Sequence, residues 1–316
     1  MDKDFIFLKA NRSMWPASAN IFVIKDEDGL ILIEVGCGLK KFTKELFKKL
    51  EGLNFKLDNI HTIVISHAHP DHMGAMDAIY KKINPSDVKI IINKIEKESA
   101  LNIDLLNDSF DINLIKVQNI DAGVSDFFNE TFDINQSFNM FCAMSQLPDD
   151  ANIQTIEENE ILKLGNYNFK VLTTPGHAPG HTCFYEVNHR FLLSGDLIGE
   201  IGTAWYSPSS GGALGYLSSL DKVEKYPIEY IYPSHGHKFF NVKERINQIR
   251  HKIMIKDEII LENLNKRPHT ILELTKLFYK TKQAQIFPGV AIMESHLIKL
   301  ENEDKIERKN GFIIKI

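Results

Sequence analysis

Apolar and polar positions follow two rhythms along this 316-residue chain. Strand-like runs open it. "FIFLK" comes first, then "NIFVIKDEDGLILIEVG", whose two apolar stretches flank a turn at Asp28-Gly29. In "KKFTKELFKKLEG", Phe42, Leu46 and Leu50 recur every four residues and Gly52 closes the stretch, which predicts a helix. "HTIVIS" reads as a strand, His72 to Ile83 as a helix, "VKIIIN" as a strand and "KIEKESALNIDLL" as a helix. Strand and helix in alternation predict an α/β layered fold.

Residues 107–151 break the rhythm. They carry many aromatics, among them Phe110, Phe127, Phe128, Phe132, Phe138 and Phe141, amid many acids. The stretch is too long for an ordinary loop and too aromatic for a disordered linker. It is expected to be an inserted, partly helical subdomain that covers a cleft like a lid. Strands then resume with "YNFKVLTTPG", "HTCFYEV" and "RFLLSGD", a helix from Leu214 to Val223, and the strand "IEYIYPSHG". From Val242 a long helix places Ile246, Ile249, Ile253, Ile260 and Leu264 on one face.

The tail has its own signals. "RPHTILELTKLFYK" contains a capping box, Thr270 with Glu273. "GVAIMESHLIKLENEDKI" is amphipathic, with Val290, Met293, Leu297 and Leu300 aligned. "KIERKNGFIIKI" sets Asn310-Gly311 between two strand-like runs, a hairpin signal. The organisation expected is residues 1–240 as a catalytic domain and 241–316 as a linker helix plus a small helix–helix–hairpin unit.

Charge agrees with that division. From Asn241 onward there are 15 Lys+Arg against 10 Asp+Glu; the chain's 37 and 42 leave 22 against 32 before it. An acidic body thus precedes a basic tail. No apolar run approaches the roughly 18 residues that span a bilayer, and the N-terminal stretch lacks a signal-peptide core. The expectation is a cytoplasmic protein without a membrane partner. Cys37, Cys142 and Cys183 lie far apart, so neither a disulfide framework nor a cysteine zinc site is indicated.

The chemistry concentrates in "TIVISHAHPDHMGAM", where His67, His69, Asp71 and His72 follow an apolar strand. Alternation puts His67 and His69 on one side. Pro70 turns the chain, and Asp71 and His72 begin a helix. Imidazole with carboxylate suits zinc, manganese or iron. Three later turns repeat the strand-then-ligand form: "LTTPGHAPGHT" with His177 and His181, "LLSGDLIG" with Asp196, and "IYPSHGHK" with His235 and His237. Ligands at the strand ends of one sheet edge converge where open α/β sheets bind ligands.

In "SHAHPDH", "TPGHAPGHT", "SGD" and "PSHGH", in that order over roughly residues 20–240, the chain resembles a metallo-β-lactamase-fold hydrolase. The resemblance implies an αββα sandwich with two divalent metal ions, zinc first, with iron or manganese as alternatives. It implies His67, His69 and His177 on one metal, Asp71, His72 and His235 on the other, and Asp196 bridging. By the same likeness Asp71 also orients the nucleophile. His181 and His237 stand behind the ligands or on the substrate side, and His237 is carried as a catalytic candidate. The oxygen-reducing diiron branch of that family has Glu at the place of His69, so the histidine favours hydrolysis. The tail resembles a winged helix, which points to a subgroup holding an endoribonuclease and acyl-carrier thioesterases.

Two functions compete. One is hydrolysis of a small-molecule thioester, lactone or related ester. The other is cleavage of single-stranded RNA, with Lys299, Lys305, Arg308 and Lys309 on phosphates. The acidic body disfavours nucleic acid, since a polyanion gains from positive charge along its path. The tail is expected to be structural, bracing the catalytic domain or a partner subunit, with a homodimer as an option.

Overall fold

The computed structural model describes residues 4–10, 17–83, 87–111 and 146–316. One sheet runs in sequence order through β1 (Phe5–Leu8), β2 (Ile21–Lys25), β3 (Leu30–Ile33), β4 (Ile60–Ile65), β5 (Lys89–Asn93) and β6 (Asn152–Ile156). Its first three strands are antiparallel and the rest pair in parallel. A second sheet has the order β11 (Tyr230–Tyr232), β10 (Phe191–Leu193), β9 (Thr182–Glu186), β8 (Tyr167–Thr173), β7 (Ile161–Leu164).

The alternation of side chains along each strand separates three apolar clusters. Phe22, Ile24, Ile31, Ile33 and Val64 of the first sheet face Phe169, Val171, Phe184, Leu193 and Tyr232 of the second. Their neighbours Val23, Leu32, Ile63, Ile65 and Ile90 point the other way. There they meet Leu46 and Leu50 of the Lys40–Gly52 helix and Met76 and Ile79 of the Met76–Tyr80 helix. Behind the second sheet, Leu172, Leu192 and Ile231 meet Tyr216 and Leu220 of the Gly212–Glu224 helix and Ile246, Ile249 and Ile253 of the Val242–Leu264 helix. The layers run helix, sheet, sheet, helix. Strands covered on both faces read as unbroken apolar runs, and β3 and β5 do so.

The tail folds as a helix (Ile271–Phe278), a helix (Ala291–Asn302) and an antiparallel hairpin of β12 (Ile306–Lys309) and β13 (Phe312–Lys315). The Thr270–Glu273 capping box forms as its spacing predicts. Val290, Met293, Leu297 and Leu300 are buried in the same cluster as β4 and β5, so this unit shares the core of the first sheet.

Several local expectations change. The helix expected over His72–Ile83 is two short ones, Pro70–Met73 and Met76–Tyr80. The helix expected over Lys94–Leu106 divides at Asn102, whose side chain accepts from the amides of Asp104 and Leu105 and starts a new helix, Ile103–Asp108. β6 and β7 have no counterpart among the expected strands. Each is half exposed and lacks a long apolar run. Of the insertion expected at 107–151, residues 112–145 lie outside the described residues. No helix among those described is long and apolar enough to cross a membrane.

Candidate metal centre

Five of the seven expected ligands sit in loops past the C-terminal end of a strand, and Asp71 and His72 lie on the Pro70–Met73 helix that follows. His67 and His69 follow β4, His177 follows β8, Asp196 follows β10 and His235 follows β11. β4 ends at Ile65, so His67 and His69 are loop residues and strand alternation does not align them. Two buried carboxylates do. Glu34 accepts from the Ser66 amide at 3.2 Å. Glu96 accepts from the Ala68 amide at 2.9 Å and, with its other oxygen, from the Gly180 amide at 2.6 Å. Glu96 therefore ties the first histidine loop to the second. Asn93 adds a cross-sheet link, donating to Thr173 and Thr182.

Two groups of ligand atoms result among the described residues. His67, His69 and His177 form one; Asp71, His72, Asp196 and His235 form the other; within each, the ligand atoms lie within 4.8 Å of one another. Asp196 faces both: Oδ2 is 3.5 Å from His177 Nε2, and Oδ1 is 3.4 Å from His72 Nε2 and 3.5 Å from His235 Nε2. Asp71 Oδ2 is 3.1 Å from His235 Nε2. The seven ligand residues expected from the motifs are thus brought together.

The donor set fits divalent cations. His177 Nδ1 donates to the Trp205 carbonyl at 2.7 Å, because a carbonyl only accepts. Its Nε2 lone pair must then point at His67 Nε2, 3.2 Å away. His69 Nε2, His72 Nε2 and Asp196 Oδ1 are buried with no hydrogen-bond partner. Atoms of this kind are costly to bury unless a cation meets them. Burial, then the neighbouring imidazoles, holds His67 well below the usual histidine range, which leaves it neutral and able to ligate. In the second group burial disfavours a charged imidazole, yet the carboxylates outweigh it. Asp71, Asp196 and Glu34 raise His72, and Asp196 and Asp71 raise His235 to about 10. Positive charge is wanted at this position.

His181 and His237 fall outside both groups. His181 is fully buried, accepts from the Asp196 amide through Nε2 at 2.9 Å, and meets the Thr174 hydroxyl through Nδ1 at 2.8 Å. A side chain on Gly195 would come within 2.3 Å of that Nε2, so glycine is required there. His237 is mostly exposed and pairs with Glu200 through Nδ1 at 3.0 Å and with the Lys9 ammonium through Nε2.

Sequence reasoning missed Glu34, Glu96 and Trp205. Glu34 left a trace, a carboxylate directly after the apolar run "LILI". Its Oε2 is 3.4 Å from His72 Nδ1, and its φ is +65°. Glu96 left none, since it acts on residues 28 and 84 positions away. An apolar wall also borders the first group. Phe110 stacks on His69 with ring centroids 5.0 Å apart at 26°, and Trp205 packs on Phe110 at 5.4 Å and on Phe287 at 5.4 Å.

Three of the four cations proposed for phosphates are engaged within the tail, and the fourth, Lys309, is exposed. Lys299 pairs with Asp257 and Glu303, Lys305 with Glu303, and Arg308 with Glu294 and Glu301.

Comparison with known proteins agrees with this geometry. The chain is similar to a probable metallo-hydrolase of Bacillus subtilis, 22% identical over 90% of this chain and 88% of the relative. It is similar to a hydroxyacylglutathione hydrolase of Haemophilus influenzae, 26% identical over 56% of this chain and 65% of that one. A metallo-beta-lactamase family protein from Thermus thermophilus has the same fold, with a TM-score of 0.75 at 19% identity over 99% of both chains. The family model of the metallo-beta-lactamase superfamily matches residues 14–235, and with its paired His/Asp groups the chain belongs to that superfamily.

Proposed function

We propose that the protein is a metal-dependent hydrolase of a small-molecule thioester, lactone or related ester, using two divalent ions, zinc first. The observation that carries this reading is Asp196, whose two oxygens face two separate ligand groups. His67, His69 and His177 would hold one ion and Asp71, His72 and His235 the other, with Asp196 shared. When bound, such a pair supplies hydroxide near neutral pH and polarises the electrophile's oxygen.

The chain's own residues do the remainder. Asp71 orients the attacking water, and neither a serine nor a cysteine nucleophile is needed. The Phe110–Trp205 wall keeps water from one side of His69 and suits an apolar acyl group. His237, which pairs with Glu200, is proposed as a substrate-side residue. The likeness to a hydroxyacylglutathione hydrolase supports an acyl substrate. The internal ion pairs of Lys299, Lys305 and Arg308 weigh against RNA.

The test is a panel of acyl thioesters, lactones, phosphodiesters and short RNAs on the metal-loaded enzyme. The highest kcat/KM is expected on a thioester or lactone. A preference for RNA would replace the proposal with an endoribonuclease.

A further inference from the structure

The tail reaches the metal rim through one buried chain of hydrogen bonds. Asp257 lies on the Val242–Leu264 helix and His296 on the Ala291–Asn302 helix. Asp257 Oδ1 is 2.6 Å from His296 Nδ1, and His296 Nε2 is 2.7 Å from the Tyr206 hydroxyl. His296 and Tyr206 are fully buried.

The donors are fixed by chemistry. Lys299 donates to the other Asp257 oxygen at 2.8 Å. Burial opposes ionisation of Asp257, but hydrogen bonds from His296 and Lys299 outweigh it and hold the carboxyl below its usual range. An ionised carboxylate only accepts, so His296 Nδ1 carries a proton. Burial keeps the imidazole itself neutral. Nε2 therefore offers a lone pair, and the Tyr206 hydroxyl donates to it.

Tyr206 directly follows Trp205, whose carbonyl receives the His177 Nδ1 proton. That bond sets the tautomer and ring plane of a ligand. The Trp205 ring also packs on Phe287 of the tail. The tail thus grips two adjacent residues of the segment that aims His177.

We propose that Tyr206, His296 and Asp257 are positioning residues for His177, so that the tail sets the metal affinity of the three-histidine group. The inference rests on reading the two groups as metal sites and is independent of the substrate class.

The test uses the full-length, metal-free protein, titrated with Co²⁺ against a competing chelator while the cobalt absorption spectrum is followed. Tyr206→Phe keeps the ring and removes the hydroxyl. His296→Leu removes the acceptor, and His296→Gln restores one. Two binding phases are expected in the unaltered protein. In Tyr206→Phe and His296→Leu one phase should weaken on the order of tenfold, with its spectrum altered, while the other stays within about twofold. His296→Gln should recover most of the loss. The double variant Tyr206→Phe/His296→Leu should be no worse than either single one, since both cut the same link. Unchanged phases, equal weakening of both, or a Gln variant as weak as Leu would each overturn the proposal. An unaltered protein that binds no Co²⁺ would instead overturn the metal reading beneath it. Should His296→Leu fail to fold, Tyr206→Phe and His296→Gln still decide.

Discussion

The Glu34 carboxylate lies 3.4 Å from His72 Nδ1, on the side of the ring away from Asp196. It is buried, and it is held at a φ of +65° that non-glycine residues rarely adopt. A carboxylate behind a ligating imidazole fixes its tautomer and raises its basicity. Glu34→Gln should therefore weaken metal binding by about 10–100-fold. Chelator competition would measure this, and an affinity unchanged from the native protein would show that Glu34 is only a loop support.

Asp196→Ala removes a carboxylate that faces both ligand groups. Activity should fall to background and bound metal from two ions per chain to one or none, read by elemental analysis after gel filtration. Retention of two ions would show that Asp196 is not shared.

His181→Ala acts through the backbone. It orphans the Asp196 amide in a fully buried place, while the Thr174 hydroxyl loses the imidazole but keeps the His181 carbonyl and Cys183 Sγ as partners. The orphaned amide costs about 1–3 kcal/mol. Unfolding midpoints in urea should drop accordingly, and metal affinity should fall because Asp196 loses its anchor. A variant with native stability and metal content would place His181 outside the structural support of Asp196.

Phe110→Ala opens the wall beside His69. Removing a buried phenylalanine costs roughly 3–5 kcal/mol of stability. Kinetically, kcat/KM should fall most for bulky apolar acyl groups and least for acetyl substrates. A uniform loss across acyl chain lengths would refute a pocket role.

Lys256 provides a pH signature away from the metals. Burial lowers its ammonium to about 8. Between that value and the ordinary lysine range near 10.4 the unfolded chain binds more protons than the folded one, so stability rises with pH across this window. The full effect is about 3 kcal/mol. Lys256→Met, compared with the native protein at each pH and both metal-loaded, should be the more stable below about pH 8, with the advantage shrinking above it. Tyr206, Phe278 and Tyr279 face this lysine and favour its charged form, which would reduce the size of the effect.

Local order in the chain made most of the sandwich and the nine candidate metal-binding side chains legible, and the family resemblance singled out seven of them by setting His181 and His237 apart. Strand ends are marked by apolar runs, and a histidine or aspartate placed just after one needs only a short turn to reach the rim. The capping box at Thr270 and the hairpin at Asn310-Gly311 were legible for the same reason: each is a contact between near neighbours. Edge strands such as β6 were not, because half-exposed strands carry no apolar signature. Neither was the support behind the ligands. Glu96 joins Ala68 to Gly180, Trp205 turns His177, and Asp257 reaches Tyr206 through His296. These bonds join positions remote in sequence, and nothing in the local pattern favours one distant partner over another. Residue type and spacing narrowed the candidate metal-binding side chains to a few turns after strands. Only the packing of two sheets and the tail decided which nitrogen faces inward, which carboxylate is shared, and which buried acid steadies each loop.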